Sequence, residues 1–127
     1  MYSVVVPLQD YQRFIDVCLP SLELHLEWSR LRHVVVIVPK GHLEAVRDAL
    51  NGHVHKARFK VVSLEKLLPF DKMYHFYMHT MVRLMAAKAV QSHYYLIIDD
   101  DTVLVRSFGT ILFLQIQQVS SNYLNLF

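Results

Sequence analysis

Apolar, mostly β-branched residues occur in short runs, and each run stops at a residue that breaks regular structure. Ser3-Val4-Val5-Val6 closes at Pro7, and His33 to Val38 closes at Pro39. Runs this short, without polar alternation, predict strands buried on both faces, as in a parallel sheet. Phe59 to Ser63, centred on Val61 and Val62, predicts a third strand, and Tyr94 to Ile98 a fourth. Longer stretches with helical spacing lie between them. Asp10 is placed as an N-cap for Tyr11 to Trp28. Pro20 interrupts that stretch, so Tyr11–Leu19 and Ser21–Trp28 read as one kinked or broken helix. Gly41 opens a helix from His42 to Leu50 that stops at Asn51-Gly52. After a turn around Leu67 to Phe70, the strongest helix runs from about Lys72 to Gln91, with Met73, Tyr77, Met81, Leu84 and Ala87 as its expected buried stripe. Ser92-His93 connects to the fourth strand, and Val103 to Val105 predicts a brief further strand. Strand and helix alternate throughout, which gives a three-layer α/β/α domain on a mostly parallel sheet with right-handed crossovers.

Composition narrows the partners. The 127 residues are 54% hydrophobic and 19% charged, with a formal charge of +2. Thirteen basic and eleven acidic residues are spread along the chain, so there is no basic stripe for a nucleic-acid backbone. No apolar run approaches the roughly 20 residues of a membrane span, and Val4 to Val6 is too short for a signal peptide. Cys18 is the single cysteine, which excludes an internal disulfide and a thiolate cluster. The compartment stays open: cytoplasmic by default, Golgi or ER if the chain is a piece of an anchored protein. One domain is expected over residues 1–108. The tail from Gly109 to Phe127 is hydrophobic and uncharged, and reads as a truncated remainder.

Open parallel sheets bind ligands beyond the carboxyl ends of their strands. Two features fall there: Pro7-Leu8-Gln9-Asp10 after the first strand and Asp99-Asp100-Asp101-Thr102 after the fourth. Three adjacent carboxylates repel one another unless a counter-charge holds them. A hard cation such as Mg2+ or Mn2+ supplies one, and keeps coordination positions for phosphate oxygens. In an extended segment Asp99 and Asp101 project to one side and Asp100 to the other. Asp101 is then the expected direct metal ligand, Asp99 faces the ribose or a metal-bound water, and Asp100 is a supporting or alternate ligand.

The segment from Tyr94 through Asp99-Asp100-Asp101-Thr102 to Arg106 resembles the metal-binding DxD segment of GT-A glycosyltransferases, in the form seen in exostosin-like enzymes. It is closer still to an uncharacterised family of GT-A-like proteins, in which an Asp-Thr pair precedes a short strand and an arginine. Val4-Val5-Val6-Pro7, with Ser21-Leu22 downstream, is similar to that family's first strand and helix, so the resemblance covers Ser3 to about Phe108. It implies a Rossmann-like GT-A half-domain that binds a nucleoside-diphosphate sugar, a UDP-sugar foremost, and transfers the sugar to a hydroxyl acceptor on a glycan, lipid or protein. It further implies that Pro7, Leu8 and Asp10 accept the base and ribose, and that Arg83 points toward the diphosphate. Arg83 reads equally as a solvated helix charge, and Lys88 as a surface lysine.

The resemblance lacks a second half. The 21 residues after Arg106 contain no His, Asp, Glu, Lys or Arg, so no catalytic base is assigned. An alternative is therefore a catalytically inactive fragment with a binding role. A second is a haloacid-dehalogenase-like phosphatase with Asp99 as nucleophile and Asp101 as acid/base, although that class carries its motif on the first strand. His53/His55 and His75/His79 lack a third ligand at a recognisable spacing and read as structural. The Met and Tyr residues of 73–85 read as core filling. Cys18 has no patterned partner for nucleophilic work.

Overall fold

The computed structural model describes residues 1–67 and 81–105. In it the two valine runs form the centre of a four-stranded sheet. Strand β1 spans Tyr2–Pro7, β2 Leu31–Val38, β3 Phe59–Ser63 and β4 Tyr94–Ile97. The order is β3-β2-β1-β4 and every pairing is parallel. Val4, Val5 and Val6 lie opposite Val34, Val35 and Val36, while Val4 and Val5 also pair with Leu96 and Ile97.

Burial on both faces explains why these two strands carry no polar alternation. On one face Val4, Val6, Val34, Val36 and Val38 pack against Phe14, Cys18, Leu22, Val46 and Leu50. On the other, Val5, Val35 and Ile37 pack against Leu67, Val82, Ala86 and Ala89. The fold is thus α/β with helices on both faces of a parallel sheet, as the alternation of elements predicts. The connections to β2 and β3 cover the first face. The described parts of the return from β3 to β4, around Leu67 and over 81–89, cover the second face.

Pro20 does not break its helix. Asp10 caps α1 (Tyr11–Arg13), its carboxylate accepting from the amides of Gln12 and Arg13. A π-helical segment, Phe14–Cys18, follows, and α2 (Leu19–His25) continues without interruption. The amide of Leu19 reaches back five residues to Phe14 O. This wider turn takes up the register just before Pro20, which has no N–H to give and sits in the first turn of α2. The helix ends at His25 rather than Trp28, because Leu26 turns extended and is buried in the core.

Helix α3 covers Leu43–Asn51 after a 3-10 turn at Lys40–His42, and a single helical turn, α4, covers Leu64–Leu67. Glu65 on α4 clasps two neighbouring strand ends by accepting from Ser63 Oγ at 2.8 Å and Lys40 N at 3.0 Å. Burial alone would raise the Glu65 pKa. The hydrogen bonds from Ser63, its own amide and Lys40 N, with the Lys40 charge, together pull it below the ordinary value.

Of the long helix expected at Lys72 to Gln91, residues 81–85 are helical and pass into a 3-10 turn at Ala86–Ala89. Val90 is already extended. The buried stripe is Val82, Ala86 and Ala89, flanked by Met81 and Met85, while Leu84 and Ala87 are exposed. Ala87 lies one helical turn from Arg83, so the two share a face and cannot be buried without the arginine. Met73, Tyr77, His75 and His79 fall outside the described residues, as do Arg106, Phe108 and the tail from Gly109. No helix among the described residues is long and apolar enough to cross a membrane.

At the opposite end of the sheet Trp28 stacks on His55 with ring centroids 4.0 Å apart, and the edge of Phe59 meets His53. His53 Nδ1 accepts the His55 amide at 3.0 Å, so this pair of histidines is structural. Burial lowers the His53 pKa. The Glu23 carboxylate, 3.6 Å away, opposes that shift without overcoming it, and His55 adds to the lowering. His33 is lowered too, by burial first and then by Arg32, Lys60 and Arg58. Both imidazoles take a proton more readily in the unfolded chain, so stability is full above the unfolded value of 6.5 and falls as pH drops through the folded values. Urea midpoints measured between about pH 7.5 and 5.5 should decline, and His53→Phe should flatten the slope. An unchanged slope in that variant would remove His53 as its source.

Candidate functional site

The strand order places β1 next to β4, with the rest of the sheet added on the far side of β1. The loops leaving these two strands therefore diverge, and an open crevice forms between them at the carboxyl end, where α/β sheets take ligands. Both segments singled out in the sequence are there. A cleft of about 280 Å3 is lined by Pro7, Gln9, Arg13, Arg83, Asp99, Asp100 and Asp101. A larger groove, about 410 Å3, runs along α3 and the β3 edge. It lacks the cleft's gathering of three carboxylates against two guanidiniums.

The three aspartates have three different environments. Asp100 is buried, and its Oδ2 accepts from Gln9 N and Asp10 N, both at 2.8 Å. Its other oxygen faces Arg13 Nη2 at 3.5 Å. Asp100 thus ties the loop after β4 to the loop after β1, a structural task beyond the supporting or alternate ligand expected of it. Asp99 is exposed and its Oδ1 accepts from Arg83 Nη2 at 2.7 Å. Asp101 is exposed. The strand stops at Ile97, so the extended alternation expected of the triplet is replaced by a turn closed by Thr102 N on Asp99 O at 3.1 Å, and all three aspartates line the cleft.

Other expected site residues divide. Pro7 lines the cleft. Leu8 does not: its side chain is buried in the core and its amide bonds to Ile37 O, so its assignment to base and ribose is corrected. Asp10 is occupied as the helix cap and is not among the lining residues. Arg83 lines the cleft as a half-exposed helix charge paired with Asp99. Arg13, not singled out in the sequence, lines the cleft and has a buried Nε with no hydrogen-bond partner among the described residues. A helical arginine three residues after a cap looks like any solvated charge. The only available signal was its spacing of one helical turn from the loop residue Asp10.

Val103 to Val105 is not a strand of the sheet. Leu104 N donates to Ser21 Oγ at 3.1 Å, and Ser21 Oγ donates to Cys18 O at 2.8 Å. The segment leaving the triplet is thus pinned onto α2, with Leu104 turned to the core and Val103 and Val105 outward. Extended backbone over a helix has the same two-residue period as a strand, so the sequence pattern could not separate them. Cys18 is buried behind this junction. Burial, then Asp100 and Asp101, push its thiol up to about 12, which leaves it a poor nucleophile.

Among the described residues no three His, Cys, Asp or Glu side chains converge to form a cation site. Asp99 and Asp101 are hard oxygen donors that can offer one or two carboxylates, which suits Mg2+ or Mn2+ completing its shell with water and phosphate oxygens. Arg13 Nε is a buried donor without a partner among the described residues, and a buried donor left unpaired costs about 1–3 kcal/mol.

A family model described as a family of unknown function (DUF6492) matches residues 4–115. The chain belongs to this family. The DUF6492 match begins in β1 and takes in Arg13, Arg83 and the whole acidic triplet. No curated protein and no solved structure matches the chain.

Proposed function

We propose that this DUF6492 chain carries the donor site of a GT-A-like glycosyltransferase, binding a nucleoside-diphosphate sugar together with Mn2+ or Mg2+. The observation that carries the reading is the meeting of Asp99, Asp101, Arg13 and Arg83 in one cleft at the β1/β4 crevice. In this reading Asp101, with Asp99, holds the cation, and Arg83 and Arg13 face the diphosphate. Pro7 and Gln9 border the base and ribose. A bound divalent ion supplies Lewis-acid neutralisation of a leaving diphosphate. The acceptor is a hydroxyl compound, and no residue of the described chain is assigned as its base.

Thermal unfolding with Mn2+ and UDP tests the reading. At a ligand concentration of about 100 times Kd the native state gains about 2.7 kcal/mol, which raises Tm by roughly 10 °C. Asp101→Ala should abolish the rise. No response in the wild type would remove the donor-site reading. Hydrolysis of a generic phosphate ester, lost on Asp99→Asn, would replace it with a phosphatase.

A further inference from the structure

We infer that Asp99 and Arg83 form a charge latch across the cleft that exchanges partners when the cleft loads, so that a divalent cation and a nucleoside diphosphate bind interdependently. This rests on the donor-site reading above and adds how the site would be loaded. The two ion pairs of the cleft differ in kind. Asp100 is 5% exposed at its side chain and fixed by two backbone amides, so it cannot leave Arg13 without opening the loop. Asp99 and Arg83 are 59% and 49% exposed, and among the described residues their side chains hold only each other, at 2.7 Å. A wetted pair of that sort is weak and easily broken.

The charges around the cleft set the order of events. Three carboxylates face two guanidiniums, and Asp101 forms no ion pair with a described residue. A cation arriving alone meets Asp101 directly but at Asp99 meets the positive charge of Arg83 as well. A diphosphate arriving alone meets at Arg83 the negative charge of Asp99, with that of Asp101 beside it. When both arrive, the cation takes Asp99 and the diphosphate takes Arg83. Each charge then trades one partner for another, and the pair is broken once for two ligands. That is a coupling free energy between the two, and it is reciprocal.

Isothermal titration of Mn2+ at low salt, with and without UDP, tests the latch in the wild type, Arg83→Ala, Arg83→Gln, Asp99→Asn and the Arg83→Ala/Asp99→Asn double variant. All the substitutions are at exposed side chains, and Arg83→Gln keeps most of the aliphatic stem. Without UDP, both Arg83 variants should bind Mn2+ roughly fivefold tighter than the wild type, the scale of an exposed ion pair. UDP should then improve their Mn2+ affinity less than it improves the wild type's. Mutating Arg83 should bring no gain once Asp99 is asparagine. Complete loss of Mn2+ binding in Asp99→Asn would count on the same side, since it makes Asp99 the ligand for which Arg83 competes. If the Arg83 variants bind Mn2+ no tighter, or gain equally in both backgrounds, the latch is wrong while a wild-type response to Mn2+ and UDP leaves the donor site standing. A wild type that binds neither ligand removes both.

Discussion

Asp100→Ala is expected to lower the unfolding free energy by about 3 kcal/mol, the scale for leaving buried donors and a charge without their acceptor. The substitution strands the amides of Gln9 and Asp10 and frees Arg13 from its partner. Asp100 joins segments about 90 positions apart. Asp100→Asn keeps one oxygen for the two amides and loses the charge facing Arg13, so it should fall between alanine and wild type. Urea unfolding gives both values, and hydrogen exchange at Gln9 and Asp10 should quicken in the alanine variant. A loss under about 1 kcal/mol would mean that the loop after β1 finds other acceptors and does not depend on the clasp.

Phe14→Ala should cost as much or more, about 3–5 kcal/mol. The ring is fully buried in the cluster between the helix and the valines of β1 and β2. It also begins the π-helical segment, where its carbonyl accepts the long-reach bond from Leu19, so the packing around it is irregular and collapses poorly into a void. Against a typical domain stability of about 5–15 kcal/mol, that loss is enough to leave a visible unfolded fraction. Leu24→Ala provides the contrast. Leu24 is 78% exposed on the same helix and should change stability by no more than about 0.5 kcal/mol. Equal losses at the two positions would contradict the burial assigned to Phe14.

The strands were legible because burial on both faces leaves a plain mark: β3 runs from Phe59 to Ser63 as its composition indicates, and β1 and β2 extend the expected runs by only a few residues. Strand order was not legible. A repeating strand–helix pattern fits several orders, and only the structure shows β4 added beside β1. The location of the acidic triplet at a strand end could be read, but not the division of labour within it. Three identical residues differ here because two backbone amides happen to face the middle one. The helix stripe was misjudged where five of the six residues from Met81 to Ala86 are apolar. Arg83 alone marks the outside of such a segment, and the correct stripe follows once that charge is placed in solvent. Arg13 escaped because its partner, Asp100, lies far away in sequence.

The Asp100 clasp also bears on the order in which the chain matures. A contact between residues 9 and 100 closes nearly the whole length of the matched region, and long closures are slow steps in folding. During synthesis from the N-terminus, β1, β2 and β3 can assemble before the triplet emerges. The cleft therefore comes into being only once β4 has paired with β1, and any ligand it accepts ignores every intermediate before that step.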